Sequence, residues 1–547
     1  MTSWFQPRLA RCWRVAIPAA LSLSLSLSLS LTLSLTLTLT LTLSACVTLR
    51  QDVPRVPSQA LKDGDGTRVG RVFALPVAHH PGLSGFRVMA EGREAFVARA
   101  ALADAAERTL DLQYYSVAED LTTELLLSRI VAAAERGVRV RILLDDIHPY
   151  ARVFSRRAIA AHPGIQARLF NPFAWAGTSN LGRLGELVFA GERLNRRMHN
   201  KLWVVDNTVA VFGSRNLADE YFEANVANNF ADVDLLAAGP IVSELSGAFD
   251  VYWNGTAAVP IEAFTVAPHP AEGAQVREAL RARAAACQRL RPCEWLAEAS
   301  LLHEINAGNV PLTWARAKLA YDQPDHGKVD LITGIEHGSI TDRPSGSATQ
   351  TELLITSPYF VPGDNAIKHI RSMRERGVRV AVLTDSLGST DSPAAHAGYA
   401  RYRSALLREG VELYEVRPGS QINHRQWHRW RHASPSSLHA KIVVQDRVRV
   451  IVGSLNQDPR SRLLNTEIWI ALESTELAAD LAALFEEGTD LRQAYRVERI
   501  ESGGTESLRW VAEEDGKLVS YDVEPQSGPW LRLWRDFLGA VIPERLL

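Results

Sequence analysis

From about Glu91 the chain alternates short apolar runs with longer amphipathic ones. EAFVARAALADAAERT (94–109) spaces its apolar residues for a helix, LDLQYYSV reads as a strand, a second helix runs to Arg136, and VRVRILLDD reads as the next strand. The second half repeats the order with the strand ELLITSPYFV, the helix NAIKHIRSMRERG and the strand VRVAVLTDS, and Gly377 falls 240 residues after Gly137. Alternating strands and amphipathic helices predict an α/β fold of two tandem α-β-α domains, with mixed, mainly parallel sheets covered by helices on both faces.

A different pattern is written into each half. HNKLWVVDNTVAVFGSRN (199–216) and HAKIVVQDRVRVIVGSLN (439–456) both read H-x-K, four residues, D, six residues, G-S-x-N, at a constant offset of 240. Six fixed residue types drawn at about 5% each recur by chance in roughly one chain in 10⁵ of this length, so the second copy marks a duplication. Each copy is an apolar, β-branched run, a polar break and a second apolar run, which predicts a hairpin. Residues two apart on a strand share a face, so His199 projects with Lys201 and His439 with Lys441. Asp206 and Asp446 fall at the break and are expected to turn the hairpins. Gly213 and Gly453 allow close backbone approach, while Ser214, Asn216, Ser454 and Asn456 offer neutral donors near the His and Lys.

Imidazole, ammonium, hydroxyl and amide groups around one point, provided twice, suit a tetrahedral oxyanion such as a phosphodiester. One His can attack phosphorus while the other, protonated, delivers a proton to the departing alcohol. The Lys and Asn pairs would stabilise charge on the equatorial oxygens, so this chemistry calls for no metal and no cofactor.

These motifs are similar to the paired HKD motifs of the phospholipase D superfamily, and within it the chain resembles the bacterial cardiolipin synthases of type C. The likeness extends over residues 70–547 and includes FDVYWNG, ITSPYFVPGD and a VIPERLL terminus. It implies two halves packed about a pseudo-two-fold axis around one active site. It also implies that Asp232 and Glu467 hydrogen-bond the catalytic imidazoles, with Asp234 competing for the first role because it lies on the same strand face as Asp232. Phosphatidyl transfer through a phosphohistidine follows as the expected activity, with His199 as nucleophile and His439 as acid, then base. Phosphatidylglycerol and phosphatidylethanolamine are the expected lipid partners, and cardiolipin the product when the acceptor is phosphatidylglycerol. With water as acceptor the same chain is a phospholipase D.

Composition narrows the alternatives. Hydrophobic content of 46% and charged content of 22% over 547 residues are ordinary for a globular protein. The formal net charge is −2, and residues 1–45 hold Arg8, Arg11 and Arg14 with no acid, so a chain beginning at Cys46 carries −5. That balance speaks against nucleic acid as a partner and so against a nuclease. A non-catalytic lipid-binding lipoprotein would not explain two intact motifs.

The three arginines, an apolar stretch, a run of Leu-Ser and Leu-Thr pairs and the closing LSAC at 43–46 read as a signal segment (1–45) with a lipobox. By resemblance to bacterial lipoproteins, Cys46 would carry lipid and hold the enzyme on the periplasmic side of a membrane; an uncleaved anchor is the alternative. Residues 46–85, rich in Pro, Gly and Asp, read as a tether. The domains follow at 86–260 and 309–495, joined by a helical connector at 261–308, with a hairpin and helix at 496–547. Cys287 and Cys293 can form a disulfide or remain two buried thiols. Two loops rich in aromatic and basic residues, 171–197 and 423–432 with Trp427 and Trp430, are expected to rim the lipid entrance at a membrane surface. The C-terminal GPWLRLWRDFLGAVIPERLL could likewise lie on a membrane, although docking on the core is the commoner fate of such a helix.

Overall fold

The computed structural model describes residues 53–173, 180–264, 270–287, 290–297, 300–324, 349–419, 436–502 and 504–546. The leader with Cys46 and the loop with Trp427 and Trp430 lie outside them. The described chain divides into two units. In the smaller, which holds Phe173–Gly191, the Arg183 guanidinium lies 4.6 Å from the Phe173 ring centre. The stretch expected as an aromatic loop there contains a helix, Asn180–Leu194.

All strands belong to the larger unit, Asp52–Pro172 and Glu192–Leu547. In the first half Thr109–Tyr114 runs parallel to Arg139–Asp145, and that strand runs parallel to Ile165–Phe170. On its other side Thr109–Tyr114 meets Leu202–Val205 antiparallel, and the sheet continues antiparallel through Val209–Gly213, Asp234–Ala238 and Ser84–Met89. The second half repeats this order: Glu352–Thr356, Arg379–Asp385 and Glu412–Val416 are parallel, while Ile442–Gln445, Arg449–Gly453, Ile468–Glu473 and Thr313–Tyr321 follow antiparallel. Ser84–Met89 pairs with Thr313–Tyr321 and joins the halves into one sheet of 18 strands.

The sheet is mixed, as the sequence predicts, with antiparallel ladders outnumbering the parallel ones. Parallel pairing in this sheet is confined to the two triplets that helices cross. The HKD hairpins and their return strands reverse the chain without a crossover, which forces antiparallel ladders. The halves also share a core, since one apolar cluster holds Leu202, Phe212 and Leu235 with Ile442, Val452 and Ile470. Burying that common surface fixes one half against the other.

Two linking segments are more than links. Residues 53–85, expected as a tether, are docked: the Ala60 N–H donates to Asp250, the Arg141 guanidinium donates to the Ser58 carbonyl, and a helix, Arg68–His79, buries Val69 and Phe73. Its polar composition concealed this, because the contacts run mostly through backbone groups. The connector holds three helices, Pro270–Ala286, Arg291–Ala297 and Ser300–Ala307, and sets Trp295 against Phe96 at 6.4 Å. Cys287 and Cys293 are joined in a disulfide across its first bend.

Asp206 and Asp446 sit at the hairpin turns. Each begins a pair of left-handed residues: Asp206 and Asn207 have φ of 51° and 52°, Asp446 and Arg447 54° and 53°. The Asp206 carboxylate accepts from the backbone N–H groups of Glu107 (3.0 Å), Arg108 (2.8 Å) and Thr109 (2.8 Å), while Asp446 accepts from those of Gln350, Thr351 and Glu352. Each Asp thus anchors the start of the neighbouring strand. Asp206 is fully buried and Asp446 is not. We expect Asp206→Ala to cost about 3 kcal/mol and Asp446→Ala about 1 kcal/mol, because unmade bonds to buried N–H groups cost more than solvated ones. Thermal unfolding of the two variants checks this; equal losses would contradict it.

Candidate active site

Each HKD histidine is tied to the opposite half of the chain. His199 follows Met198, whose N–H donates to Asp145 in the first half, but its own N–H donates to the Thr466 carbonyl at 2.9 Å. His439 follows Leu438, whose N–H donates to Asp385, and its own N–H donates to the Ala231 carbonyl at 2.8 Å. A short parallel ladder, Ser436–Leu438 beside Asn229–Ala231, and a bridge between Met198 and Thr466 make these ties reciprocal.

The side chains cross in the same way. His199 Nδ1 lies 2.9 Å from Glu467 Oε2, and His439 Nδ1 lies 2.7 Å from Asp232 Oδ2. With each Nδ1–H donating to a carboxylate, each Nε2 is left as the basic nitrogen. Asp234 does not compete, because it faces Arg99 at 2.8 Å in a buried ion pair. Aromatic rings wall the imidazoles edge-on, Tyr115 at 4.9 Å from His199 and Tyr221 at 5.0 Å from His439.

Lys201 and Lys441 are buried beside their histidines, and each ammonium donates to the carbonyl of its own histidine at 2.5 Å. The serines are placed differently from expectation. Ser214 Oγ donates to Asp232 and Ser454 Oγ to Glu467, so these hydroxyls brace the carboxylates and are not free to hold phosphate. Competition decides this, since a buried carboxylate is a stronger acceptor than anything else within reach. Gly213 and Gly453 press against the strands carrying those carboxylates, where a Cβ would collide with Asp234 and with the Ile468 carbonyl. The asparagines differ: Asn216 donates to the Tyr221 hydroxyl at 3.0 Å, whereas Asn456 Oδ1 is buried without a partner among the described residues.

Burial sets the electrostatics. Desolvation pulls His199 down to about 4, against the upward pull of Glu467, with Lys201 adding to the fall. His439 falls to about 3 through desolvation and the Lys441 charge, again opposed by its carboxylate. Lys441 is lowered to about 8 by burial, and Lys201 is pushed well below its ordinary value by the same cause. Desolvation would raise Asp232, but His439, Arg215 and Lys441 together hold it below the usual carboxylate range. Both imidazoles rest neutral, and Lys441 acts on His199 as Lys201 acts on His439, so the two motifs form one electrostatic unit.

Some supporting residues were not singled out from the sequence. Asp145 and Asp385 hold the residues immediately before the two histidines, and they stand 240 residues apart in the offset of the motifs. That shared offset was the available signal. The two are not equivalent: Asp145 is paired with the buried Arg197 at 3.1 Å, whereas Ser437 stands where the offset would place a second arginine. Burial raises Asp385 to about 8 and Asp145 only to about 6.

The sequence model described as "Cardiolipin synthase, PLD-like domain" matches residues 100–253 and 346–488, which together contain both HKD motifs. The chain belongs to the cardiolipin synthase family of phospholipase D-like proteins. Within this family it is 36% identical over 466 residues to cardiolipin synthase C of Escherichia coli, covering 84% of this chain and 95% of that protein. It is 24% identical over 438 residues to cardiolipin synthase A of Pseudomonas entomophila, covering 79% and 74%. Among solved structures, phosphatidylserine synthase of Haemophilus influenzae has the same fold, with a TM-score of 0.53 at 12% identity over 88% of this chain and all of that one.

Proposed function

We propose that this cardiolipin synthase family member transfers a phosphatidyl group from one membrane phospholipid to an alcohol, and that the alcohol is the headgroup glycerol of phosphatidylglycerol. The observation that carries the chemistry is the crossed pairing of His199 with Glu467 and His439 with Asp232. His199 Nε2 attacks phosphorus and forms the P–N bond as the P–O bond to the donor headgroup breaks. His439 gives its proton to the departing oxygen. It then takes the proton of the acceptor hydroxyl, which attacks phosphorus, breaks the P–N bond and regenerates neutral His199. Asp232, held ionised, stabilises the imidazolium that His439 becomes in this cycle. A bound phosphodiester anion supplies the remaining upward pull on its basicity. Lys201, Lys441 and Asn456 stabilise the equatorial oxygens.

The donor is proposed to be phosphatidylglycerol or phosphatidylethanolamine, and the site of action the periplasmic face of a membrane, with lipid on Cys46 as the anchor. The LSAC sequence and the Cys287–Cys293 disulfide, a bond suited to an oxidising compartment, support that placement. Incubating the purified chain with mixed phosphatidylethanolamine and phosphatidylglycerol vesicles and identifying lipids by mass spectrometry tests the function. Cardiolipin is expected. Phosphatidic acid alone would replace transfer by hydrolysis, and no product would refute the enzyme.

A further inference from the structure

The helix Pro529–Val541 is mounted with its polar side inward. Arg535 donates to both carboxylate oxygens of Glu524 at 2.8 Å, and Arg401 donates to the Gly539 carbonyl, so charge and backbone contacts hold the helix to the protein. Outward, at positions i, i+3, i+4, i+7 and i+11, stand Trp530, Leu533, Trp534, Phe537 and Val541, each between 51% and 82% exposed. No residue of this helix is buried, and Trp534 and Phe537 stack at 5.5 Å. An amphipathic helix ordinarily turns its apolar stripe to the core. Here the inward side is held by the Arg535–Glu524 ion pair and the Arg401–Gly539 hydrogen bond, with Leu531 and Leu538 half-buried, and five large apolar side chains form one outward strip of a kind that marks an interaction site.

The position of this strip names its occupant. The last turn after the helix, Glu544–Leu546, packs against Pro459–Leu463, which begins three residues after Asn456 of the second HKD motif. That short helix adds the exposed Leu463. On the first half, the loop between Tyr221 and Phe230, whose rings both face His439, carries the exposed Val226. Large apolar side chains thus stand on segments that adjoin the reacting groups from both halves. At 13 residues the helix is about 20 Å long, too short for a hydrocarbon core of about 30 Å, so it would lie in the interfacial plane, where Trp is favoured.

We propose that Pro529–Val541 docks in the headgroup layer of a bilayer and holds the mouth of the two-histidine site against the lipid surface. The inference rests on the phosphatidyl-transfer reading, because only a phosphodiester embedded in a bilayer requires the site to be held there. The test uses the full chain with Trp530→Ser, Trp534→Ser and Phe537→Ser combined. Transfer in phosphatidylglycerol and phosphatidylethanolamine vesicles is expected to fall at least tenfold, while turnover of a dihexanoyl phosphatidylglycerol dissolved below its micelle concentration stays within twofold. An equal loss on both substrates, or vesicle rates within twofold of the native chain, would overturn the proposal. So would dissociation of an oligomer on substitution, seen by sedimentation, since a second copy would then be the occupant. A readout independent of turnover places an encoded environment-sensitive fluorophore at Phe537. Brominated acyl chains in the vesicles are expected to quench it at least twofold, and absence of quenching overturns docking. If the native chain turns over neither substrate while quenching persists, docking stands and phosphatidyl transfer fails.

Discussion

His199→Ala and His439→Ala each lower phosphatidyl transfer by about 10⁴-fold or more, and the double variant is no slower than the slower single one. In the proposed cycle the two imidazoles act in sequence on one phosphorus atom, so removing either stops it, and the second removal finds little left to lose. Additive losses would mean two independent half-sites, each working with its own Lys and Asn. The crossed geometry argues against that, since His199 depends on Glu467 and His439 on Asp232, carboxylates 268 and 207 residues away in sequence. Initial rates on vesicles, with circular dichroism to show that the variants remain folded, check the result.

Asp232→Asn is expected to lower turnover by about 10³-fold, since the amide cannot stabilise the His439 imidazolium and can invert its tautomer. It also removes a linkage between proton and ligand. In the free protein His439 is neutral, with its basicity depressed to about 3. An oxyanion such as tungstate raises that value in the complex, so binding takes up a proton. The sign follows: affinity tightens as pH falls from about 8 toward 5, by up to tenfold per unit, while the free imidazole stays neutral across that range. Calorimetry in buffers of different ionisation enthalpy reads the proton directly. The native chain is expected to take up at least one proton per tungstate at pH 7, with Lys201, itself lowered by burial, adding to the His439 share. Asp232→Asn, lacking the carboxylate that pulls His439 upward, is expected to take up markedly less. Unchanged uptake would mean that Asp232 only positions the ring.

What the sequence could show follows the range of each interaction. The hairpins and their turning aspartates are settled within windows of 18 residues, so local spacing suffices for them, whereas His199, Lys201, His439 and Lys441 fall just before the strands Leu202–Val205 and Ile442–Gln445. The carboxylate partners act across the halves, and only a family resemblance pointed to Asp232 and Glu467; separating Asp232 from Asp234 needed Arg99, which is 135 residues from Asp234. The roles of Ser214 and Ser454 were misread because a hydroxyl beside a phosphate-binding motif looks like a ligand until the buried carboxylate that takes its proton is located. The mixed sheet is legible, but its larger antiparallel share is not, because the helical crossovers dominate the hydrophobic pattern while the antiparallel returns are short. The docked segment 53–85 was invisible because backbone acceptors and buried arginines hold much of it, and neither leaves a hydrophobic period.

The central claim is one shared site working through one covalent intermediate. Native chain mixed with a short-chain phosphatidylglycerol, quenched in alkali within the first turnover and digested for mass spectrometry, tests it most directly. At most one phosphatidyl group per chain is expected, on the imidazole of His199, and none on His439 in the same molecule. A chain labelled on both histidines, or turnover with neither labelled at any time, would contradict it.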